Sequence, residues 1–551
     1  MFSQFNKKDF YILSGIISIW IILLLVSDVK GNFPLNDDWS YSYSVKTLLE
    51  TGRIQLTGWV SMPIITQVLW GAFFTTLFGF SFEILRLSTI ILGLAGIICT
   101  YHLFNEVTRS SYLKFIATLL VAVNPIYFLL SSSFMTDVPF FTFSMFSVLF
   151  LFKFLKSKNI LYLTLGIIFV IGAAFIRQIG IVPLLAFAAA FSLNKNNTFS
   201  HKIYFFLLVF LLLILIALFP SFVQSSVNNP LINNTRMAKF FSAFTPKNFF
   251  GVLPLFKNSF VALIYIGLFS FPLWINLSNS ILNKFPVQRA VLYKSIFSIL
   301  TVTILILLIA INKLLPLRPG ILFEYGLGPA TLRDVDILGL NHISKIPYVV
   351  WAILTLVGVA GFLFISLILF LSIKNLKVKD INKINSPYLF LTLTTLLYLT
   401  LISLSDFYDR YLIFPLPLVA LLILWFSERE NISINYVHKF ISILTLIIIM
   451  LFTLYETQNY FSWNRCRWRA IEFLTKVLKV PVDKIDGGFE FNAWSGYDAH
   501  YIPQKGKSWW WVKDDEYIVS FGKLDNYRIL KKLNYSSLTK TKSLYILKKE
   551  N

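Results

Sequence analysis

Two adjacent carboxylates, Asp37 and Asp38, follow the first long apolar run of the chain, in the segment Asn36-Asp37-Asp38-Trp39. A carboxylate at a lipid boundary is costly unless it is hydrated, paired or used, so the pair calls for a role. One role is to accept a proton from a hydroxyl nucleophile. The other is helix-start chemistry, with Asn36 as the cap and both acids facing the positive end of the helix dipole. Asp137, just before Pro139, likewise reads either as a functional acid or as a helix cap. Arg177 and Arg410 stand at the ends of apolar runs, where a guanidinium can grip phosphate bidentately or simply snorkel to the interface. Asp406 and Asp409 lie close enough in sequence to pair with Arg410.

The elements that must position these groups are membrane helices. The 551 residues are 56% hydrophobic and only 14% charged, well below the charged share of a soluble domain. The net charge of +22 is not a nucleic-acid footprint, because Lys and Arg gather in short segments between apolar runs, as topology signals do. Two cysteines and five scattered histidines define neither a disulfide framework nor a metal site. The run from Phe10 to Val26 follows Lys7-Lys8 and lacks a cleavage site, so it reads as a retained first span with a cytoplasmic N-terminus.

Further apolar runs fall near Ile84–Leu103, Phe115–Leu130, a run ending at Leu155, Leu161–Ile176, Ile179–Leu193, Ile203–Phe222 and Phe260–Leu277. The series continues near Ile296–Ile311, Val349–Ile373, Leu389–Leu404, Tyr411–Trp425 and Phe440–Leu454. The expected total is about thirteen, an odd number that leaves the termini on opposite sides. The segment from Tyr41 to Phe80, interrupted by Gly, Pro and Thr, suits helices lying in the interface. Lys7-Lys8, Arg109, Lys114, Lys153, Lys156, Lys158, Lys195, Lys202, Lys284, Arg289, Lys294, Lys374, Lys377, Lys379 and Lys383 fall on one face, which is cytoplasmic by the positive-inside rule. The other face collects Asp37, Asp38, Asp137, Arg177, long loops at about 223–257 and 312–347, Arg410 and the C-terminal tail.

From about Tyr455 the apolar runs stop, and Trp463, Trp468, Trp494 and Trp509-Trp510-Trp511 appear among charged residues. Alternation at Glu516–Phe521 and Ser543–Leu547 predicts strands. The fold expected is an all-α polytopic membrane domain over residues 1–455, followed by a small extracytoplasmic α/β domain over 456–551. Tail tryptophans can stack on sugar rings or serve as core and interfacial anchors, and the Asn233 and Asn534 sequons carry little weight in so Asn-rich a chain.

Acids and arginines gathered at one membrane face suit chemistry on a lipid-borne substrate. Glycosyl transfer from a lipid phosphate needs a base for the acceptor hydroxyl, cations for the departing phosphate and an apolar groove. The sequence resembles the GT-C membrane glycosyltransferases, in the branch of the protein O-mannosyltransferases and the aminoarabinose transferase of lipid A. The resemblance rests on Asp37-Asp38-Trp39-Ser40-Tyr41-Ser42-Tyr43 with Thr51-Gly52, on Leu77-Phe78-Gly79, and on Arg86-Leu87-Ser88. It continues in Thr136-Asp137-Val138-Pro139, in Arg177 to Pro183, and in Arg410-Tyr411-Leu412-Ile413-Phe414-Pro415. It is strongest over residues 30–190. The family's second acid is usually Glu and here is Asp38, and its Lys-Pro-Pro segment is here Ser61-Met62-Pro63, so another cation must do that lysine's work or the donor is bound differently.

The resemblance implies Asp37 as general base, Asp38 as its structural or electrostatic partner, and Asp137 as a second functional acid. Arg177 and Arg410, with Tyr411, would contact the donor phosphate. Arg318, Glu324, Tyr325 and Arg333 in the long outer loop are candidate substrate contacts, which loop solvation explains equally well. The expected partners are a polyprenyl-phosphate sugar, a lipid, glycan or protein acceptor and membrane lipids, with no nucleic acid. No nucleotide-binding Gly-rich motif occurs, which fits a lipid-linked donor. No cofactor or metal is expected, Asp37 and Asp38 being the one place a divalent ion could sit. The alternatives are a transporter or flippase of lipid-linked glycans, which should show inverted repeats, and a non-catalytic subunit that keeps the scaffold.

Overall fold

The apolar runs are helices in the computed structural model of the chain, which describes residues 5–193, 199–222, 242, 244–245, 252–282, 287–374, 386–430, 432, 434–502 and 510–550. Lys195, Asn233, Lys284, Lys377, Lys379, Lys383, Trp509 and most of the 223–257 loop lie outside them. Among the described residues 8 helices are long and apolar enough to cross a membrane, or up to 9 with one bent pair counted as a span. Shorter apolar helices, including Ile160–Ala174 and Gln178–Leu193, stand beside them. The chain is a multi-pass membrane protein.

Two runs that read as continuous are broken, both at proline. Phe115–Leu130 is the pair Ser111–Ala122 and Pro125–Ser131, bent by 57°. Pro125 cannot donate to the preceding turn, and the Asn124 side chain caps the new helix by accepting from Ile126 N–H at 3.1 Å. Phe260–Leu277 is likewise two helices, Val252–Phe269 and Phe271–Leu282, parted at Ser270 with Pro272 in the first turn of the second. The helix Val252–Phe269 packs on Tyr348–Lys374 through facing glycines: a Cβ on Gly267 would lie 2.5 Å from the Gly358 carbonyl oxygen. Such backbone-to-backbone approach is how helices gain contact where lipid supplies no hydrophobic drive.

The polar groups sort to the two ends of the bundle. At one end a buried ion pair joins Asp9 to Lys114, Glu106 pairs with Lys153 at 3.3 Å, and Glu428 accepts from Arg109 N–H. At the other end Arg86 is buried and donates to the carbonyls of Val29, Gly31 and Phe33 at 3.0, 2.9 and 3.2 Å. Those three bonds tie down the loop that leads to the acidic pair. The segment after that loop forms two helices, Asp38–Thr51 and Ile65–Phe78, and the second leaves Leu69, Phe73, Leu77 and Phe78 exposed as an apolar face.

The helix Tyr436–Glu472 runs unbroken through the change of composition near Tyr455. Its second half is buried against a four-stranded sheet of order β3-β4-β6-β5, made of Ile485–Asp486, Tyr517–Ser520, Thr541–Lys549 and Tyr527–Ser536. β3 and β4 are parallel, while β4/β6 and β5/β6 are antiparallel. The expected strands at 516–521 and 543–547 are β4 and β6. β5 escapes a periodicity reading because Arg528, Lys531 and Lys532 crowd one exposed stretch and a register shift falls between Ile529 and Lys531. A two-stranded ribbon, β1 (Leu322–Phe323) with β2 (Gly326–Leu327), sits in the 312–347 loop.

Candidate active site

Asp37 occupies the N-cap position of the helix Asp38–Thr51, yet its carboxylate makes no capping bond. Asn36 is not the cap; it takes a left-handed backbone conformation with φ of 55°. Freed from the helix end, Asp37 Oδ1 accepts from Trp59 Nε1 at 2.9 Å, and Oδ2 lies 3.4 Å from Arg410 Nη2. Asp38 does the opposite work. It is 2% exposed and accepts from the backbone N–H groups of Leu35 at 2.6 Å and Phe134 at 3.2 Å, stapling the acidic loop to the junction of two helices. Burial pushes its pKa up to about 7 against the pull of those bonds and of Arg86.

Asp37 and Arg410 share the wall of a cavity of about 350 Å³ at this end of the bundle. Tyr41, Trp59, Ser61 and Met62 line it from the first loop, and Pro319, Gly320, Phe323, Pro329, Thr331 and Asp336 from the 312–347 loop. Phe489 and Trp510 close it from the C-terminal domain. Burial, with Asp37 nearby, raises the Tyr41 pKa well above the usual phenol range, so its hydroxyl stays protonated. The rings of Trp59 and Phe489 lie 5.5 Å apart, those of Phe489 and Trp510 5.3 Å apart, next to the buried Trp39. The result is an aromatic pocket with a carboxylate and a guanidinium side by side.

Asp137, Arg177 and Tyr411 form the layer behind. Asp137 is fully buried and ion-pairs with Arg177 Nη2 at 2.8 Å, and Arg177 also donates from Nε and Nη2 to Thr136 Oγ1 at 2.9 and 2.6 Å. The Tyr411 ring faces both guanidiniums, 5.0 Å from that of Arg177 and 6.0 Å from that of Arg410. The two arginines differ in their partners. Arg177 commits Nε and Nη2 to Thr136 Oγ1 and its charge to Asp137, whereas Arg410 is paired with Asp37 in the cavity wall.

The four loop candidates turn away from the cavity. Arg318 donates to Asn258 Oδ1 at 2.8 Å and pairs with Asp406 at 3.6 Å, so Asp406 is Arg318's partner and not Arg410's. Asp409 accepts from Ile321 and Leu322 N–H at 3.0 and 2.7 Å, anchoring the same loop. Glu324 pairs with Lys345 on the surface, the Tyr325 hydroxyl accepts from Ala330 N–H, and Arg333 is held by Asp515 at 2.7 Å. The loop reaches the cavity through other residues, Thr331 and Asp336 among them. A short polar run, Arg333-Asp334-Val335-Asp336, was the signal available for Asp336; Thr331 and Phe489 carry none.

Residues 64–220 match the family model described as dolichyl-phosphate-mannose-protein mannosyltransferase. The matched stretch contains the landmarks at Arg86, Asp137 and Arg177, so the resemblance read from those residues is borne out there, while the Asp37-Asp38 pair and Arg410 lie outside it. No curated protein sequence matches the chain. Among solved structures, the apo crystal structure of ArnT from Cupriavidus metallidurans is similar, with 12% identity and a TM-score of 0.31 over 77% of this chain and 76% of that one. Its complex with undecaprenyl phosphate gives 12% identity and a TM-score of 0.33 over 76% and 77%.

Proposed function

We propose that the chain is a membrane glycosyltransferase that moves a sugar from a polyprenyl-phosphate donor to a hydroxyl of a lipid, glycan or protein acceptor at the non-cytoplasmic face. The observation that carries this is the pairing of Asp37 with Arg410 in one wall of an aromatic-lined cavity at the end of a membrane bundle. The acceptor oxygen attacks the anomeric carbon and gives its proton to Asp37, the bond from that carbon to the phosphate oxygen breaks, and the phosphate leaves with the electron pair. Arg410, in the cavity wall beside Asp37, supplies positive charge for the departing phosphate. Attack opposite the leaving group inverts the anomeric carbon. The aromatic rings suit the apolar face of a sugar.

Asp137 and Arg177 keep the inner layer neutral and hold Tyr411 and Arg410 in place. The donor class is supported by the name of the family that residues 64–220 match, a sugar on a dolichyl phosphate. The face is supported by the bundle's polarity: Arg109, Lys114, Lys153 and Lys156 stand at the end opposite Asp37. The test is transfer by the purified protein in liposomes, offered a panel of polyprenyl-phosphate sugars and acceptor alcohols. Acceptor-dependent release of polyprenyl phosphate, with an inverted product, is expected from at least one donor; release from none would overturn the proposal.

A further inference from the structure

Asp37 projects from a loop whose backbone is gripped by the C-terminal domain. The grip is Glu490, in the helix Phe489–Gly496, with no exposed surface. Its Oε1 accepts from the Asn36 N–H at 2.9 Å, and its Oε2 accepts from Thr331 Oγ1 at 2.6 Å and Arg467 Nη1 at 2.8 Å. Arg467, equally buried, also donates to Thr331 Oγ1 at 3.0 Å and lies over the rings of Trp463 and Trp468. Phe489 N–H bonds the Thr331 carbonyl at 3.0 Å, which needs the left-handed Gly488 (φ +89), where a Cβ would come within 2.7 Å of that oxygen. Four segments far apart in sequence thus meet at one carboxylate.

We infer that Glu490 is a positioning residue, by which the C-terminal domain fixes the Asn36 peptide and so aims Asp37 into the cavity. The inference rests on the proposed glycosyl transfer. Asn36 holds a left-handed backbone with φ of 55°, a conformation Asn takes more readily than other non-glycine residues, and its N–H is turned toward Glu490. Around Asp37 the backbone is held by Ser40 N–H donating to the Asp37 carbonyl at 3.1 Å and Asp38 N–H to the Leu35 carbonyl at 3.2 Å, with Asp38 Oδ1 accepting from Leu35 N–H and Arg86 holding the loop before it; the Glu490 bond to the Asn36 N–H is what the C-terminal domain adds at the preceding peptide. Asp37's own side-chain partners, Trp59 and Arg410, both line the cavity and hold the carboxylate itself, while Glu490 acts on the backbone before it. The domain that supplies Phe489 and Trp510 to the wall therefore also sets the geometry of the proposed base. A carboxylate displaced by about 1 Å from its reacting proton costs on the order of 100-fold in rate.

The test keeps the protein folded while removing one bond. Replacing a buried ion pair by apolar groups of similar size is commonly neutral for stability, whereas removing one partner alone is not. The full chain is therefore made as Glu490→Leu with Arg467→Met and as Glu490→Gln with Arg467→Met, neutral pairs that differ in whether position 490 offers an acceptor to the Asn36 N–H. Single-turnover transfer and affinity for polyprenyl monophosphate are measured for both, with Asp37→Asn alongside. The leucine pair should lose on the order of 100-fold in single-turnover rate with unchanged affinity, and the glutamine pair should recover most of it. Equal rates for the two pairs, with Asp37→Asn inactive, would refute positioning by Glu490 and leave the proposed function standing. Full turnover by Asp37→Asn would instead remove the base on which the inference rests.

Discussion

Arg410→Ala and Arg177→Ala should fail in different ways, although the sequence presents them as equivalent helix-end cations. Arg410 is 7% exposed at its side chain, lines the cavity and stands 3.4 Å from Asp37. Removing it deletes a charge-assisted contact to the donor phosphate worth about 1.5–3 kcal/mol, which is about 10- to 150-fold in Kd. Arg177 is committed to Asp137 and Thr136, and its loss strands a buried carboxylate at a cost of about 3–5 kcal/mol of stability. The assay pairs a fluorescence titration with polyprenyl monophosphate in detergent with a thermal unfolding scan of the same samples. Arg410→Ala should weaken binding and lower the unfolding temperature less than Arg177→Ala does, because Asp37, 18% exposed, is left partly hydrated whereas Asp137 is fully buried. Arg410→Ala binding as tightly as wild type would refute the phosphate assignment; Arg177→Ala matching wild type in both measurements would refute the division of labour.

Asp137→Asn should lower the unfolding temperature as Arg177→Ala does, because either change leaves one buried charge without its opposite; a thermal scan of the variant decides it. Asp38 has a folded pKa of about 7, above the 3.8 of a free carboxylate, so the folded state holds the proton more tightly. Its contribution to stability is complete below about pH 4 and is lost as pH rises to about 7, and Asp38→Asn should flatten the fall in melting temperature between about pH 4 and pH 7. Trp59→Phe keeps the ring but removes the donor to Asp37 Oδ1, so the turnover rate should fall while donor affinity holds, as a rate against concentration series would show.

The membrane class, most helix-forming runs and two of the strands were legible because apolar run length and alternation are local signals. The breaks at Asn124-Pro125 and Ser270-Phe271-Pro272 were legible in principle, each marked by a proline within an apolar run. The site was half legible. Asp37 and Arg410 stood out as charges at lipid boundaries, and the structure brings them within 3.4 Å. Asp38 looks like a twin of Asp37 in sequence, but the backbone turn at Asn36 sends one carboxylate into the cavity and the other into the packed loop. Arg318, Glu324, Tyr325 and Arg333 drew attention by residue type, but Arg318 is paired with Asn258 and Asp406, Glu324 and Tyr325 within the loop, and Arg333 with the tail. Glu490, Thr331 and Phe489 reach the site through tertiary contacts across hundreds of residues, a relation that spacing does not encode.

The most direct test of the central claim is single-turnover transfer by Asp37→Asn loaded with saturating polyprenyl-phosphate sugar. The amide fills the carboxylate's space and still accepts from Trp59, but it cannot take the acceptor's proton. Donor affinity should stay within a few-fold of wild type while the transfer rate falls by about 10²–10⁴, the usual contribution of a general base. A transfer rate equal to wild type would contradict the account.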